Sequence, residues 1–346
     1  MSEEKEKIFI DYLKKVSPGT PLRTVIDDIL RSGLGALIIF HSPKLEEQKM
    51  YEGGFRVNCR FTSQKLFELC KMDGAIVISA DLKRILYANV LMTPDPTVHT
   101  NETGTRHKAG ERTAKQAETF AIAVSERKKK TTLYFCQSKT FLKSSDELLR
   151  DLYSTLQILE KQREILNDLV NKLNVLEVSE LTSTNDVCRV VQRSEMMLKI
   201  AETTKRSFIE LGNEGNILNM RYRELLKGVE KQEEEIIRDY SKISLKRVKT
   251  LLSNITFNGL LDIETISRLV LEKGLDEELA PRGYRFLSHL PLSEKEVPQI
   301  VAKFENLNKI LTSSSQELEQ ILKNRASSIK GEINLFREQI LAGKIV

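Results

Sequence analysis

Between residues 8 and 142, short apolar runs rich in β-branched residues alternate with amphipathic stretches. Gly35-Ala-Leu-Ile-Ile-Phe40, Gly74-Ala-Ile-Val-Ile-Ser79, Arg84-Ile-Leu-Tyr-Ala-Asn-Val90, Phe120-Ala-Ile-Ala-Val-Ser125 and Thr131-Thr-Leu-Tyr-Phe135 read as buried strands. From Thr62 to Met72, Leu66, Leu69 and Cys70 fall at helical spacing, with Thr62 or Ser63 able to cap the helix. A second helix is predicted from about His107 to Glu118. This alternation predicts an α/β N-terminal domain over residues 1–142, a mixed sheet flanked by helices.

The texture changes at residue 145. Leu149, Leu152, Leu156 and Leu159, then Leu166, Leu169, Val170, Leu173 and Leu176, recur at three- and four-residue steps among charged residues. Related patterns return at Met196–Ile209 and Ile217–Ile243, and Pro is missing throughout. The pattern predicts an all-α spine over residues 145–248, a small bundle of long helices. A coiled coil that recruits a partner is the alternative. The acidic run Glu233-Glu-Glu235 reads as a solvated face. Beyond residue 250, breaks at Asn258-Gly259, Gly274, Pro281-Arg-Gly283, Pro291 and Ser313-Ser-Ser315 separate short apolar helices. They predict an all-α helix-turn-helix or helix-hairpin-helix module over residues 250–346.

Composition narrows the class without naming it. Hydrophobic residues at 40% and charged residues at 30% suit a globular chain, and 346 residues allow two or three domains. Trp is absent and aromatics are 6%, so no large platform for stacking on bases is evident. A formal charge of +5 permits a nucleotide or nucleic-acid partner without demanding one. Cys59, Cys70, Cys136 and Cys188 show no zinc spacing, which points to reduced thiols and a cytoplasmic setting. No run approaches ~18 uncharged apolar residues, so no membrane span is expected, and Ile8–Leu13 is too short for a signal peptide.

Two short segments carry candidate chemistry. Met72-Asp73-Gly74-Ala75 opens a predicted strand, which places a carboxylate at a sheet edge. There it can ligate Mg²⁺ or Mn²⁺, or accept a hydrogen bond from a hydroxyl about to attack. Gly74 lets a ligand or a second backbone come close, although Asp-Gly is equally a favoured turn pair. Glu102-Thr-Gly-Thr-Arg-His-Lys108 runs straight into the second predicted helix, whose first N–H groups can hold phosphate oxygens. Gly104 loosens the loop. Thr105, Arg106, His107 and Lys108 add a hydroxyl, a bidentate fork, a proton carrier and a point charge. The Walker pattern is missing, and a capped helix with surface cations is the plainer alternative. Ser125 and Lys128 sit beside the basic run Arg127-Lys-Lys-Lys130, which can neutralise a triphosphate or its pyrophosphate product, or form a solvated turn.

Asp73-Gly-Ala75, Leu82-Lys-Arg-Ile-Leu-Tyr-Ala-Asn-Val90, Pro94-Asp-Pro96 and Glu102-Thr-Gly-Thr-Arg-His107 follow in an order that closely resembles the diadenylate cyclase domain of the DNA-integrity-scanning protein family. The helical middle and Pro281-Arg-Gly-Tyr-Arg-Phe-Leu287 resemble that family's spine and C-terminal helix-hairpin-helix domain, so the likeness covers nearly the whole chain. The resemblance implies a cyclase that joins two ATP into cyclic di-AMP and releases two pyrophosphates between facing nucleotide domains. Asp73 would orient or deprotonate the 3′-hydroxyl and hold the metal. Gly74, with Ala75 beside it, would let the sugar approach, and Met92 would touch adenine. Gly104, Thr105, Arg106, His107 and Lys108 would hold phosphates, with Ser125 and Lys128 nearby. A homo-octamer of two four-membered rings and a role at branched DNA junctions are implied as well.

Two departures from the family bear on function. Where the family continues Arg-Thr-Ala-Glu-Arg, this chain has Lys108-Ala109-Gly110-Glu111-Arg112. One guanidinium fork and one hydroxyl donor are lost, a cost of about 1.5–3 kcal/mol that slows an enzyme without abolishing its chemistry. In the C-terminal hairpin, Lys323 and Arg325 stand where the family presents glycines, whose backbone reaches a DNA phosphate. Side chains there hinder close approach and disfavour positive φ, while the added cations become the candidate DNA contacts. The competing expectation is a DNA-binding oligomeric scaffold whose N-terminal domain binds nucleotide but is inactive.

Overall fold

A computed structural model of the chain describes residues 3–344. The chain forms two compact units, Met1–Leu152 with Arg206–Leu218, and Tyr153–Lys205 with Asn219–Val346. In the first unit, helices α1 (Glu3–Lys15), α2 (Pro21–Arg31), α3 (Pro43–Glu47), α4 (Ser63–Leu69) and α5 (Thr105–Gln116) flank one sheet. Its strands are β1 (Ala36–Phe40), β2 (Tyr51–Glu52), β3 (Phe55–Arg60), β4 (Ala75–Ile78), β5 (Arg84–Met92), β6 (Phe120–Ser125), β7 (Lys130–Phe135) and β8 (Ser138–Leu142). The sheet runs β2-β5-β4-β1-β6-β7-β8, and β3 also pairs with β5. The β1–β4 pair is parallel and the other pairings are antiparallel, so the sheet is mixed.

Side-chain alternation gives this sheet two different faces. Ile38, Phe40, Ile76, Ile78, Ile122, Val124, Leu133 and Phe135 pack with residues of α1, α2 and α4. Leu37, Ile39, Val77, Ala121, Ala123 and Tyr134 pack with α5. Alanines on the second face let α5 settle close to the strands, and Gly110 sits against Leu37 and Tyr134. A Cβ on Gly110 would stand 3.0 Å from Leu37 Cδ1, so the glycine that weakens the helix in isolation serves its packing.

The five strands expected from the apolar runs are present, Phe120–Ser125 with unchanged ends and the others with an end shifted by one or two residues. Of the two candidate caps for α4, Thr62 serves: its hydroxyl accepts the Lys65 N–H. The apolar pattern missed β3 and β8, which lie at the sheet's margins, where Arg56, Asn58, Arg60, Ser138, Lys139 and Thr140 interrupt the apolar residues. It also missed α1 and α2. The amphipathicity of α2 is strong, with Leu22, Val25, Ile26 and Ile29 buried, but Pro21 at its first turn reads equally as a loop signal.

The second unit is helical: α6 (Ser145–Val178, which starts in the first unit), α7 (Thr184–Leu211), α8 (Asn216–Leu226), α9 (Val229–Tyr240), α10 (Leu245–Asn254), α11 (Phe257–Leu260) and α12 (Ile263–Val270). It continues through α13 (Tyr284–Ser288), α14 (Glu296–Phe304), α15 (Leu307–Thr312), α16 (Ser315–Leu322) and α17 (Ala326–Leu341). Gly228, at φ +79°, separates α8 from α9. The acidic run is not a solvated face. Glu233 is buried on the inner side of α9 with Val229, Ile236, Ile237 and Tyr240, and burial together with Glu195 pushes its carboxyl well above the usual range.

The segment Pro281–Leu287 is pinned by a buried acid. Asp239 accepts the N–H groups of Gly283, Tyr284 and Arg285 at 2.7, 2.6 and 2.9 Å, capping α13, while the Arg285 guanidinium pairs with Glu177. Among the described residues no helix is long and apolar enough to cross a membrane. All four cysteines are free thiols.

Candidate nucleotide site

Asp73 ends the turn that leads into β4, and its side chain is fully exposed. Gly74 follows at φ +88°, a conformation that strains any L side chain. A Cβ there would come within 2.9 Å of the Asn89 carbonyl carbon and 3.0 Å of the Val90 oxygen. The backbone that crowds Gly74 is therefore that of β5. Ala75 is buried between Leu37 and Val90 in the ladder. Met92 is also buried, in the apolar cluster with Leu45, Met50 and Val90.

Across from this edge, α5 starts at Thr105. Its cap, Gly104, is extended and makes no side-chain cap, and the first helical bond is Lys108 N–H to Gly104 O at 2.8 Å. The N–H groups ahead of Lys108 make no intrahelical bond, which leaves this helix end able to hold an anion. Arg106 reaches back from the first turn until its Nη2 lies 3.7 Å from Asp73 Oδ1. Gly35 makes room for it: a Cβ on Gly35 would stand 2.3 Å from Arg106 Nη1. The loop before α5 is tied to the helix by Arg112 on the Val98 carbonyl, at 2.9 Å, and Lys115 on the His99 carbonyl, at 2.8 Å.

His107 is held by a chain of polar groups. Its Nδ1 lies 2.9 Å from the Tyr134 hydroxyl, which donates at 2.8 Å to Glu102 Oε1, and Glu102 pairs with Lys139. Burial opposes the Glu102 carboxylate, but its bonds to Lys139 and Tyr134 outweigh burial and hold it below the usual range. Burial, then Glu102, raises Tyr134, so the phenol stays protonated. The phenol gives its one proton to Glu102 and can only accept from His107, which assigns the neutral ring's proton to Nδ1. The opposite nitrogen, Nε2, is buried with no partner. Burial lowers the His107 pKa, partly opposed by Glu102 and reinforced by Lys128, Lys139 and Arg106.

The structure therefore gathers Asp73, Gly74, Gly104, Thr105, Arg106 and His107 in one place, and Lys128 lies within electrostatic reach of His107. Ser125 accepts the Lys128 N–H at 3.2 Å, shaping the basic turn, and Lys108 is exposed on α5. Met92 and Ala75 stand in the core instead. Gly35, Tyr134 and Lys139 went unread, as did the role of Glu102. The candidate DNA residues lie in the second unit, in the turn Lys323–Arg325 between α16 and α17. Lys323 adopts φ +49°, ψ −130°, while Arg325 is bound to Glu296 at 3.1 Å and to the Pro291 carbonyl. For the divalent cation, no cluster of three or more acid, His or Cys ligands exists among the described residues. The exposed Asp73 carboxylate fits the habit of Mg²⁺, which is held by one or two carboxylates together with substrate phosphates.

Comparison with known proteins places these units in one lineage. The family model described as "DisA bacterial checkpoint controller nucleotide-binding" matches residues 23–138. The model described as "DisA bacterial checkpoint controller linker region" matches residues 142–277. The chain is similar to the DNA integrity scanning protein DisA of Clostridium botulinum strain Loch Maree, 36% identical over 354 residues and covering all of both chains. It is likewise 38% identical over 340 residues to DisA of Symbiobacterium thermophilum, covering 96% of each. A crystal structure of DacA from Staphylococcus aureus overlaps 44% of this chain and 95% of its own, at 22% identity and a TM-score of 0.31. Matched end to end by such relatives, and by both models in sequence order, the chain belongs to the DisA family.

Proposed function

We propose that the chain is a diadenylate cyclase, a nucleotidyltransferase that condenses two ATP into cyclic di-AMP and two pyrophosphates. One observation carries the reading: an exposed carboxylate, Asp73, stands 3.7 Å from Arg106 at an uncapped helix N-terminus. A single unit presents one half of the reaction, so two copies face each other, in a homo-octamer of two four-membered rings. The 3′-hydroxyl oxygen of each ATP attacks the α-phosphorus of the other, one P–O bond forms as the bond to pyrophosphate breaks, and this happens twice. Asp73 orients the hydroxyl and takes its proton. Asp73, with the phosphates, would hold Mg²⁺ or Mn²⁺, which when bound would supply charge neutralisation at the α-phosphate. The α5 N–H groups, Thr105, Arg106 and Lys128 bind the phosphates and stabilise the charge that builds on them. Neutral His107 offers only a lone pair at Nε2, so it donates to a phosphate oxygen after taking up a proton that the nucleotide's charge attracts.

For DNA, the hairpin between α16 and α17 supplies the contact, at branched junctions. Lys323 at its tip is exposed, whereas Arg325 must leave Glu296 to reach a phosphate. The setting is cytoplasmic, in keeping with four free thiols.

Incubating the protein with ATP and Mg²⁺ or Mn²⁺ and resolving the products tests the cyclase. Cyclic di-AMP and pyrophosphate form, and Asp73→Asn loses both while its circular dichroism stays native. ATP binding without pyrophosphate release would sink the cyclase and leave the inactive scaffold.

A further inference from the structure

The sheet face opposite His107 carries a second set of unsatisfied polar groups. Thr131, Leu133 and Phe135 alternate with Tyr134 along β7, and Leu133 and Phe135 pack with α2 and its neighbours, away from α5. Beside them lies a cavity of about 440 Å³, lined by Arg23 and Asp27 of α2, Lys129 to Thr131 of β7 and its turn, and the Lys143–Ser144 stretch before α6. Arg23 is 4% exposed and Thr131 2%. The Arg23 Nε is bonded to Asp27 and its Nη2 to the Lys143 carbonyl, but Nη1 has no partner, and neither has the Thr131 hydroxyl. Both residues line the cavity, and each carries a buried polar atom without a partner, which calls for an acceptor.

The charges around the cavity say which kind. Its three carboxylates are already engaged: Asp27 with Arg23 at 3.0 Å, Asp151 with Lys143 at 2.6 Å, and Glu147 with the Ser144 N–H at 2.9 Å. Lys129 and Lys130 stand exposed at the rim and supply the excess positive charge. A guanidinium N–H, a hydroxyl and two ammonium groups suit a compact anion with several acceptor oxygens. We propose that this cavity is a second binding site of the first unit, for a phosphate or pyrophosphate group, free or carried by a nucleotide. It stands independently of the cyclase reading. The basic turn is divided between the two sites, with Lys128 in the field of His107 and Lys129 and Lys130 on the cavity.

Calorimetry on the full chain tests it, with inorganic phosphate, pyrophosphate and ATP as separate titrants. Arg106→Ala weakens the site at α5, and one pyrophosphate site per chain should remain. Lys129→Gln/Lys130→Gln should weaken that site at least tenfold. Thr131→Val, which changes no charge and keeps the β-branched shape, should weaken it severalfold, separating direct contact from loss of positive field. Binding of pyrophosphate but not ATP assigns a free anion, and equal binding assigns a nucleotide's phosphates. The proposal is overturned if the Arg106→Ala chain binds none of the three titrants, or if its binding ignores both the lysine pair and Thr131→Val.

Discussion

The Tyr134 hydroxyl lies 2.9 Å from His107 Nδ1 and spends its own proton on Glu102, so a residue on β7 dictates which nitrogen of a residue on α5 carries hydrogen. The pairing fixes the ring's orientation and leaves Nε2 as a buried, unpartnered atom. Second partners of this kind decide how well a reactive group is aimed.

Tyr134→Phe keeps the aromatic ring and removes the acceptor. The lost bond is worth ~1 kcal/mol net, so ATP turnover should fall roughly five- to tenfold with the fold intact. NMR of the His107 ring checks the cause: the variant should populate the Nε2–H tautomer, which the wild type excludes. Unchanged turnover and tautomer would remove Tyr134 from the mechanism.

The depressed His107 pKa has a definite sign in pH dependence. Burial lowers it in the folded chain from the model-compound value of 6.5. Between the folded value and 6.5 the unfolded chain binds more protons, so stability rises with pH there. The contribution is fully present above pH 6.5 and is lost as pH falls through the folded value. Melting temperature should therefore drop more steeply from pH 7 to 5 in the wild type than in His107→Gln. ATP binding near pH 7 should take up a proton, seen as a binding enthalpy that varies with the buffer's ionisation heat. His107→Gln should abolish that variation.

Gly35→Ala places a methyl group where Arg106 Nη1 now lies, 2.3 Å away. Gly35 does not occupy the left-handed region, so the backbone tolerates alanine, and the guanidinium must swing off Asp73. Losing a charge-assisted contact costs about 1.5–3 kcal/mol, so ATP affinity should fall at least tenfold while the melting temperature moves little. Equal ATP affinity in the two proteins would mean that Arg106 does not bind the nucleotide.

The limits of legibility follow from range. Buried central strands announce themselves as apolar runs, and Asp73, Arg106 and His107 sit in short motifs beside turns, so both were readable. Tyr134 and Lys139 act across 27 and 37 residues on His107 and Glu102, through a sheet that the sequence does not draw. One signal was present: a tyrosine inside a buried strand needs a partner for its hydroxyl. Glu233 left a signal too. It falls at helical spacing with Val229, Ile236, Ile237 and Tyr240, on the apolar side of α9, but a run of three acids reads first as a wet surface. The hairpin tip was legible in the other direction. The loss of glycine flagged Lys323 and Arg325 as misfits to positive φ; the expectation fails at Arg325, which the fold puts at φ −90°, and holds at Lys323, at φ +49°.

That misfit yields a prediction in which stability and DNA affinity part company. A non-glycine residue in the left-handed region costs about 1–2 kcal/mol, and Lys323 adds ψ −130°, outside the small basin that side chains tolerate. Lys323→Gly removes that strain, offset by the ~0.5–1 kcal/mol of extra chain entropy that glycine loses on folding. A net gain of about 1 kcal/mol, read as a shift of the denaturant midpoint at constant slope, is expected. If Lys323 is the phosphate contact, the same variant should bind a branched junction more weakly, with a salt slope reduced by about one ion. Gel shifts across a salt series on junction and duplex measure both. Tighter binding by Lys323→Gly would instead assign the contact to the hairpin's backbone N–H groups, which the lysine side chain now obstructs.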